Sequence, residues 1–281
     1  MVADPTTDLS RITNPLVTSK QLLRYRGTDS SDVTTDYFAT CVLSQAAGVL
    51  LRLPQEVIAT AIILLRRYQV GYVPNASDKQ SSRYLSEAAI YLAAKSSFTP
   101  LGPRSIVNVY AFLFSKASPL AFINGDAEKL NQPSDPSTYF VSEGDYERER
   151  LNILHHESLL LAGIGFDVHV ALPYTLALTY LSALSVSNSE RLAARVFEHL
   201  NGALTSPQLL YLTHQPNVIA TAAIYLAAKE VEVKLIGSVN WWEVFDVDRE
   251  ALGFVVMAMG SLKAFAETEK EKWKERKLNN G

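Results

Sequence analysis

At 281 residues the chain is long enough for about two domains and a sizeable core. Hydrophobic residues make up 48% and charged residues 20%, so most of it is expected to fold, and the longest apolar run, 218–228 with one threonine allowed, falls short of the roughly 18 residues that span a bilayer. With 26 basic against 29 acidic residues, a net charge of -3 supplies no general field for a polyanion, so neither direct nucleic-acid binding nor a membrane role is expected.

Apolar residues recur at three and four spacing, and almost no stretch alternates as a strand would, which predicts an all-α fold. Start and stop signals place helices near 35–52, 54–71, 82–97, 103–115 and 146–164, then 171–185, 188–204, 215–230, 238–246 and 248–265. Pro54 and Pro103 stand where a first helical turn tolerates a missing N–H, and Gly165 and Gly237 where the chain leaves a helix. The first 34 residues are a polar extension with one apolar cluster, Leu22 to Tyr25. Residues 115–146 form a long Pro- and Gly-bearing insertion, and 265–281 a Lys/Glu series expected as a solvated helix.

Ala88-Ala-Ile-Tyr-Leu-Ala-Ala-Lys95 recurs letter for letter as Ala222-Ala-Ile-Tyr-Leu-Ala-Ala-Lys229. Each copy falls on the third helix of its series of five, so the chain reads as a duplicated five-helix domain. Small alanines let neighbours approach that helix closely, which makes it the expected centre of each bundle.

Catalytic patterns are missing. His155 and His156 are adjacent on a helix and point about 100° apart, a poor arrangement for sharing one metal ion. His169, His199 and His214 lack ligands at metal spacing. Gly163-Ile-Gly165 lacks the third glycine and the strand of a dinucleotide fingerprint. The single cysteine, Cys41, allows no internal disulfide and no Cys-rich zinc site, and sits in an apolar pattern that predicts a buried thiol. The amino terminus carries no basic and apolar leader, so an intracellular setting is expected. No catalytic residue, metal or cofactor is therefore expected, and function is sought on a surface.

Two charged residues are candidates for it. Lys95 ends the stripe of Leu85, Ala88 and Leu92, and Glu157 lies among Leu154, Leu160, Leu161 and Ile164. A structural role remains open for both: a lysine in a last turn complements the helix dipole, and a glutamate can rim a core. Lys229, repeating Lys95, favours that reading.

The tandem repeats, Leu92-Ala-Ala-Lys95 and the run Glu157 to Val168 together resemble the two boxes of the cyclins. Four stretches, Gln45 to Gln55, Arg104 to Val109, Gly165 to Val170 and Gln215 to Ala228, are similar to the L-type cyclins of transcription and splicing. The resemblance implies a first cyclin box over 35–165, a second over 166–264, and a tail over 265–281. It also implies a nuclear regulatory subunit without catalysis, partnered by a cyclin-dependent serine/threonine kinase and by splicing factors. In the family, the lysine matched by Lys95 and the glutamate matched by Glu157 bond to each other and to main chain flanking the kinase's C helix. Apolar positions matched by Leu92, Leu161, Phe166 and Val168 pack on that helix. A kinase needs its strand lysine paired with a C-helix glutamate, and the cyclin favours the helix position that allows it.

The chain departs from the family at Ser96-Ser97-Phe98, where many cyclins carry an aromatic and an acidic pair, and it shows no arginine/serine-rich tail up to Gly281. It also lacks the first-box helix features of cell-cycle cyclins, so their substrate-docking groove is not expected. Alternatives are a T- or K-type elongation cyclin and a cyclin-fold scaffold of the spliceosome. A DNA-binding adaptor of the general transcription factor IIB type is disfavoured by one cysteine and negative charge.

Overall fold

A computed structural model describes residues 12–27, 31–71, 82–115, 118, 120, 136–235 and 240–279. Among the described residues the amphipathic spacing yields eleven α-helices and no strand. They are α1 Ser19–Gly27, α2 Ser31–Leu50, α3 Gln55–Gly71, α4 Ser82–Ser96, α5 Pro103–Leu113, α6 Glu143–Gly163, α7 Tyr174–Ala183, α8 Glu190–Ala203, α9 Leu210–Thr213, α10 Pro216–Glu230 and α11 Arg249–Asn279. The chain divides into two compact units, Lys20–Val168 with Ala266–Gly281, and Met1–Ser19 with His169–Phe265.

In the first unit the alanines do what their size predicts. Ala88, Ala89, Ala93 and Ala94 are buried with Ile90, and α4 packs on α2, α3 and α6 at once. α3 is buried nearly all round through Ile58, Ile62, Ile63, Leu64 and Leu65. Gly48 on α2 is required by close approach, because a Cβ there would lie 2.5 Å from the Ile58 side chain. Cys41 is a buried free thiol whose pKa burial pushes up, opposed by Arg66. Arg66 is itself buried under the Tyr37 ring, and its Nε and Nη1 have no hydrogen-bond partner.

The second unit repeats the scheme around α10, where Ala220, Ala222, Ala223, Ile224 and Ala227 are buried and the helix packs on α7 and α8. Three local expectations need correction. The helix expected at 238–246 is a five-residue 3-10 turn, Trp241–Phe245, because aromatic and β-branched residues extend a helix poorly and Asp246 adopts φ +55°. Asn217 then donates from Nδ2 to the carbonyls of Phe245 and Asp246, satisfying the turn's end. The single-turn helix α9 falls in a stretch read as connection. The helix expected at 248–265 and the helical tail expected after it are one continuous helix to Asn279, its Lys/Glu series pairing internally as in Lys272 to Glu269 at 2.6 Å.

Arg249–Lys272 is long and apolar enough, by length and composition alone, to cross a membrane, although no single apolar run in it is long. Its residues Leu252, Val255, Ala258 and Met259 line one buried face while Phe254 and Met257 are exposed, the pattern of a helix packed on one side. Of the expected insertion 115–146, residues 116–117, 119 and 121–135 lie outside the described residues, as do 1–11 and 28–30 of the amino-terminal extension.

Candidate functional site

α4 and α6 pack along their length in the first unit and carry the charged residues that the sequence singles out. The N-terminus of α6 is set by Ser142, whose hydroxyl accepts from the Asp145 N–H, with Glu143 and Asp145 in the first turn where the dipole favours acids. From that start, positions 153, 157 and 160 repeat on one face, and Ile153, Glu157 and Leu160 are its buried residues. A glutamate is thereby carried into an apolar seam, where an unpaired carboxylate would be costly.

Lys95 supplies the partner from the last turn of α4. Its Nζ donates to Glu157 Oε1 at 2.8 Å, and lies 4.9 Å from the centroid of the Tyr91 ring one turn earlier. The pair is lopsided: the Glu157 side chain is 8% exposed and that of Lys95 47%. The hydrogen bond to Glu157 raises the lysine pKa, so the charge is held while half of the ammonium group's side chain remains open to solvent. A charged donor fixed in place yet accessible can bond main-chain carbonyls of a second molecule without first losing rotamer freedom.

A second polar cluster lies about two helical turns earlier on both helices. Arg83 donates from Nε to Glu87 Oε1 at 2.8 Å and stands 3.7 Å from Glu149 of α6. Glu87 is fully buried and its Oε2 has no partner; burial pushes its pKa up to about 7 against the pull of Arg83. Beside it the Ser86 hydroxyl links Ser44 and Tyr110, each at 2.6 Å, in a buried chain joining α2, α4 and α5. His156 lies against Tyr84 with ring centroids 5.1 Å apart, and its Nδ1 is 2.8 Å from the Asn152 carbonyl. Burial lowers its pKa, so the ring is neutral near pH 7 and Nδ1 carries the donated proton.

The exit from α6 is built by glycine. Gly163 passes so close to Tyr68 that a Cβ would lie 2.4 Å from the ring, and Gly165 takes φ +65°. The Gly165 N–H then bonds the Ala162 carbonyl and the Phe166 N–H bonds the Leu161 carbonyl at 2.8 Å, a paired closure of the helix end. Phe166 also has positive φ, +61°, and 71% of it is exposed. A bulky aromatic in the left-handed region, with its ring in water, is unusual on both counts.

The expected apolar set is thus divided. Leu92 is buried, Leu161 and Val168 are half-buried, and Phe166 stands open. Tyr91 and the Arg83–Glu87 pair escaped the sequence reading, although four-residue spacing on one helix was their signal. Among the described residues, no three His, Cys, Asp or Glu side chains stand close enough to hold a metal ion.

No protein-family model matches the chain. It is 29% identical to human Cyclin-L2 over 235 residues, which is 82% of this chain and 41% of that protein. It is also 29% identical to chicken Cyclin-L1 over 222 residues, 79% of this chain and 38% of that one. The chain therefore spans about two fifths of the length of the curated relatives it matches. Its fold is similar to a chain in the crystal structure of the yeast RNA Pol II CTD kinase CTDK-1 complex, with a TM-score of 0.68 and 14% identity, covering 96% of this chain and 84% of that one.

Proposed function

We propose that the chain, which is similar to L-type cyclins, is a cyclin: a non-catalytic regulatory subunit that binds and activates a cyclin-dependent serine/threonine kinase in the nucleus, in transcription and pre-mRNA splicing. The observation that carries this reading is the Lys95–Glu157 pair, a part-exposed ammonium group anchored at 2.8 Å on a buried carboxylate. In this reading Lys95 and Glu157 bond main chain flanking the kinase's C helix. Leu161, Phe166 and Val168 meet that helix from the end of α6, and Leu92 supports Lys95 from beneath. Activation follows if these contacts form only with the inward position of the kinase helix, since a partner shifts an equilibrium by its differential affinity. The proposed boundaries of the two cyclin boxes are 35–165 and 166–264, flanked by the extension 1–34 and the tail 265–281.

The test is a pull-down from nuclear extract with the wild type and the Lys95→Ala/Glu157→Ala double variant, followed by mass spectrometry and a kinase assay on the retained material. A kinase retained by the wild type and lost from the variant is the expected result. Splicing factors retained equally by both, with no kinase activity on either, would leave a cyclin fold acting as a scaffold.

A further inference from the structure

Asn14 lies in a stretch without regular secondary structure, 13–18, yet is only 6% exposed. Its backbone and side chain are each held by a reciprocal pair of hydrogen bonds within the second unit. The Asn14 N–H donates to Gln215 Oε1 and the Asn14 carbonyl accepts from Gln215 Nε2, both at 2.9 Å. The side-chain Nδ2 donates to the Ala171 carbonyl and Oδ1 accepts from the Ala171 N–H, both at 2.8 Å. Three residues on, the Val17 N–H donates to the Leu212 carbonyl at 2.8 Å. The three receiving residues come from different places: Ala171 just before α7, Leu212 in α9 and Gln215 at the N-cap of α10.

We propose that Ala171, Leu212 and Gln215 form a peptide-recognition site on the second repeat, which reads an extended segment centred on asparagine and is filled in this chain, in cis, by Thr13–Val17. Ala171 presents a free N–H and carbonyl side by side, and only a primary amide satisfies both. An aspartate at the same place lacks the donor, and an apolar residue leaves two buried polar groups, the Ala171 N–H and carbonyl, unpaired. Gln215 reads the main chain instead of the side chain. Pro15 and Leu16 remain exposed, Leu16 at 40%, so the site selects little at those positions beyond the extended backbone that proline presets. The ligand class is therefore an extended peptide with asparagine followed, three residues later, by a main-chain donor. Tethering gives the cis segment an effective concentration on the order of millimolar, so a free peptide enters well only when the cis segment is weakened.

The experiment compares the full chain with its Asn14→Ala and Gln215→Ala variants. It follows amide exchange at Ala171 and binding of a fluorescent peptide, Ile-Thr-Asn-Pro-Leu-Val-Thr, by anisotropy. Asn14→Ala should speed exchange at Ala171 by about ten-fold, as expected for a freed hydrogen bond. It should bind the peptide at least about ten-fold more tightly than the wild type does. The bound peptide should restore Ala171 protection, the same peptide with aspartate for asparagine should not, and Gln215→Ala should bind neither. Circular dichroism reports whether each variant folds, and Asn14→Asp replaces Asn14→Ala if the latter does not. Unchanged exchange in the Asn14 variant, no binding at millimolar peptide, or equal binding to all three proteins would overturn the proposal.

Discussion

The same eight residues stand at the centre of both repeats, and the two copies end differently. In the first, Lys95 meets a buried glutamate from the fifth helix of its series. In the second, Lys229 is exposed and forms no ion pair among the described residues, while the next residue, Glu230, is held by Arg195 at 2.5 Å and His199 at 2.9 Å. Those bonds, Arg195 first, lower the Glu230 pKa and tie α10 to α8. The contrast extends to the preceding positions, where buried Ser86 and Glu87 of the first copy are replaced by Ala220 and Thr221 in the second. An identical motif thus serves one packing role twice, and the residues beside it decide whether its terminal lysine is anchored.

The largest effect that would break or sharpen this contrast is on partner affinity. If only the first lysine is an anchored contact, Lys95→Ala should cost kinase binding about 2–5 kcal/mol and Lys229→Ala nothing measurable by calorimetry. Equal losses would mean that both repeats engage the partner.

Next come the fifth helices. Gly163→Ala forces a methyl group into the Tyr68 ring and should destabilise the protein by about 1–3 kcal/mol in chemical denaturation. Gly260→Ala on α11, where a Cβ meets nothing within 4 Å, should stabilise it by about 0.5–1 kcal/mol. The same sign for both would show that the close approach is not confined to the first unit.

Buried polar groups separate the central helices more gently. Glu87 has a folded pKa near 7 against 4.5 when free, so between those values the folded state holds a proton that the unfolded state has lost. Its contribution to stability is fully present below pH 4.5, falls as pH rises to about 7, and is level above that. Glu87→Gln should remove this slope from stability measured against pH, and a parallel profile for the variant would contradict it. At the matching position of the second repeat, Thr221 buries a hydroxyl with no partner, and Thr221→Val should raise stability by about 1 kcal/mol.

Much of this organisation is legible in one dimension. Alanine-rich third helices, Pro103 at a helix start and Gly165 at a helix end each follow from a local rule and stand where that rule places them. The partnership of Lys95 and Glu157 was legible only through a family resemblance, since spacing alone left both with a structural reading. The 3-10 turn at Trp241–Phe245 was missed, and the tail, expected as a solvated helix of its own, was not read as a continuation of α11, because weak local preferences yield to what the rest of the fold supplies. The Asn14 site could not be read from sequence, because its partners Ala171, Leu212 and Gln215 lie 157 to 201 residues away.

Sequence by itself determined that this is a duplicated all-α protein with small residues at the centre of each bundle, because helical periodicity and alanine content act over a few turns of chain. Tertiary structure alone decided which of two identical lysines is anchored and which carboxylate is buried. Those outcomes depend on what a distant helix brings within hydrogen-bond reach, and on how much water it leaves there.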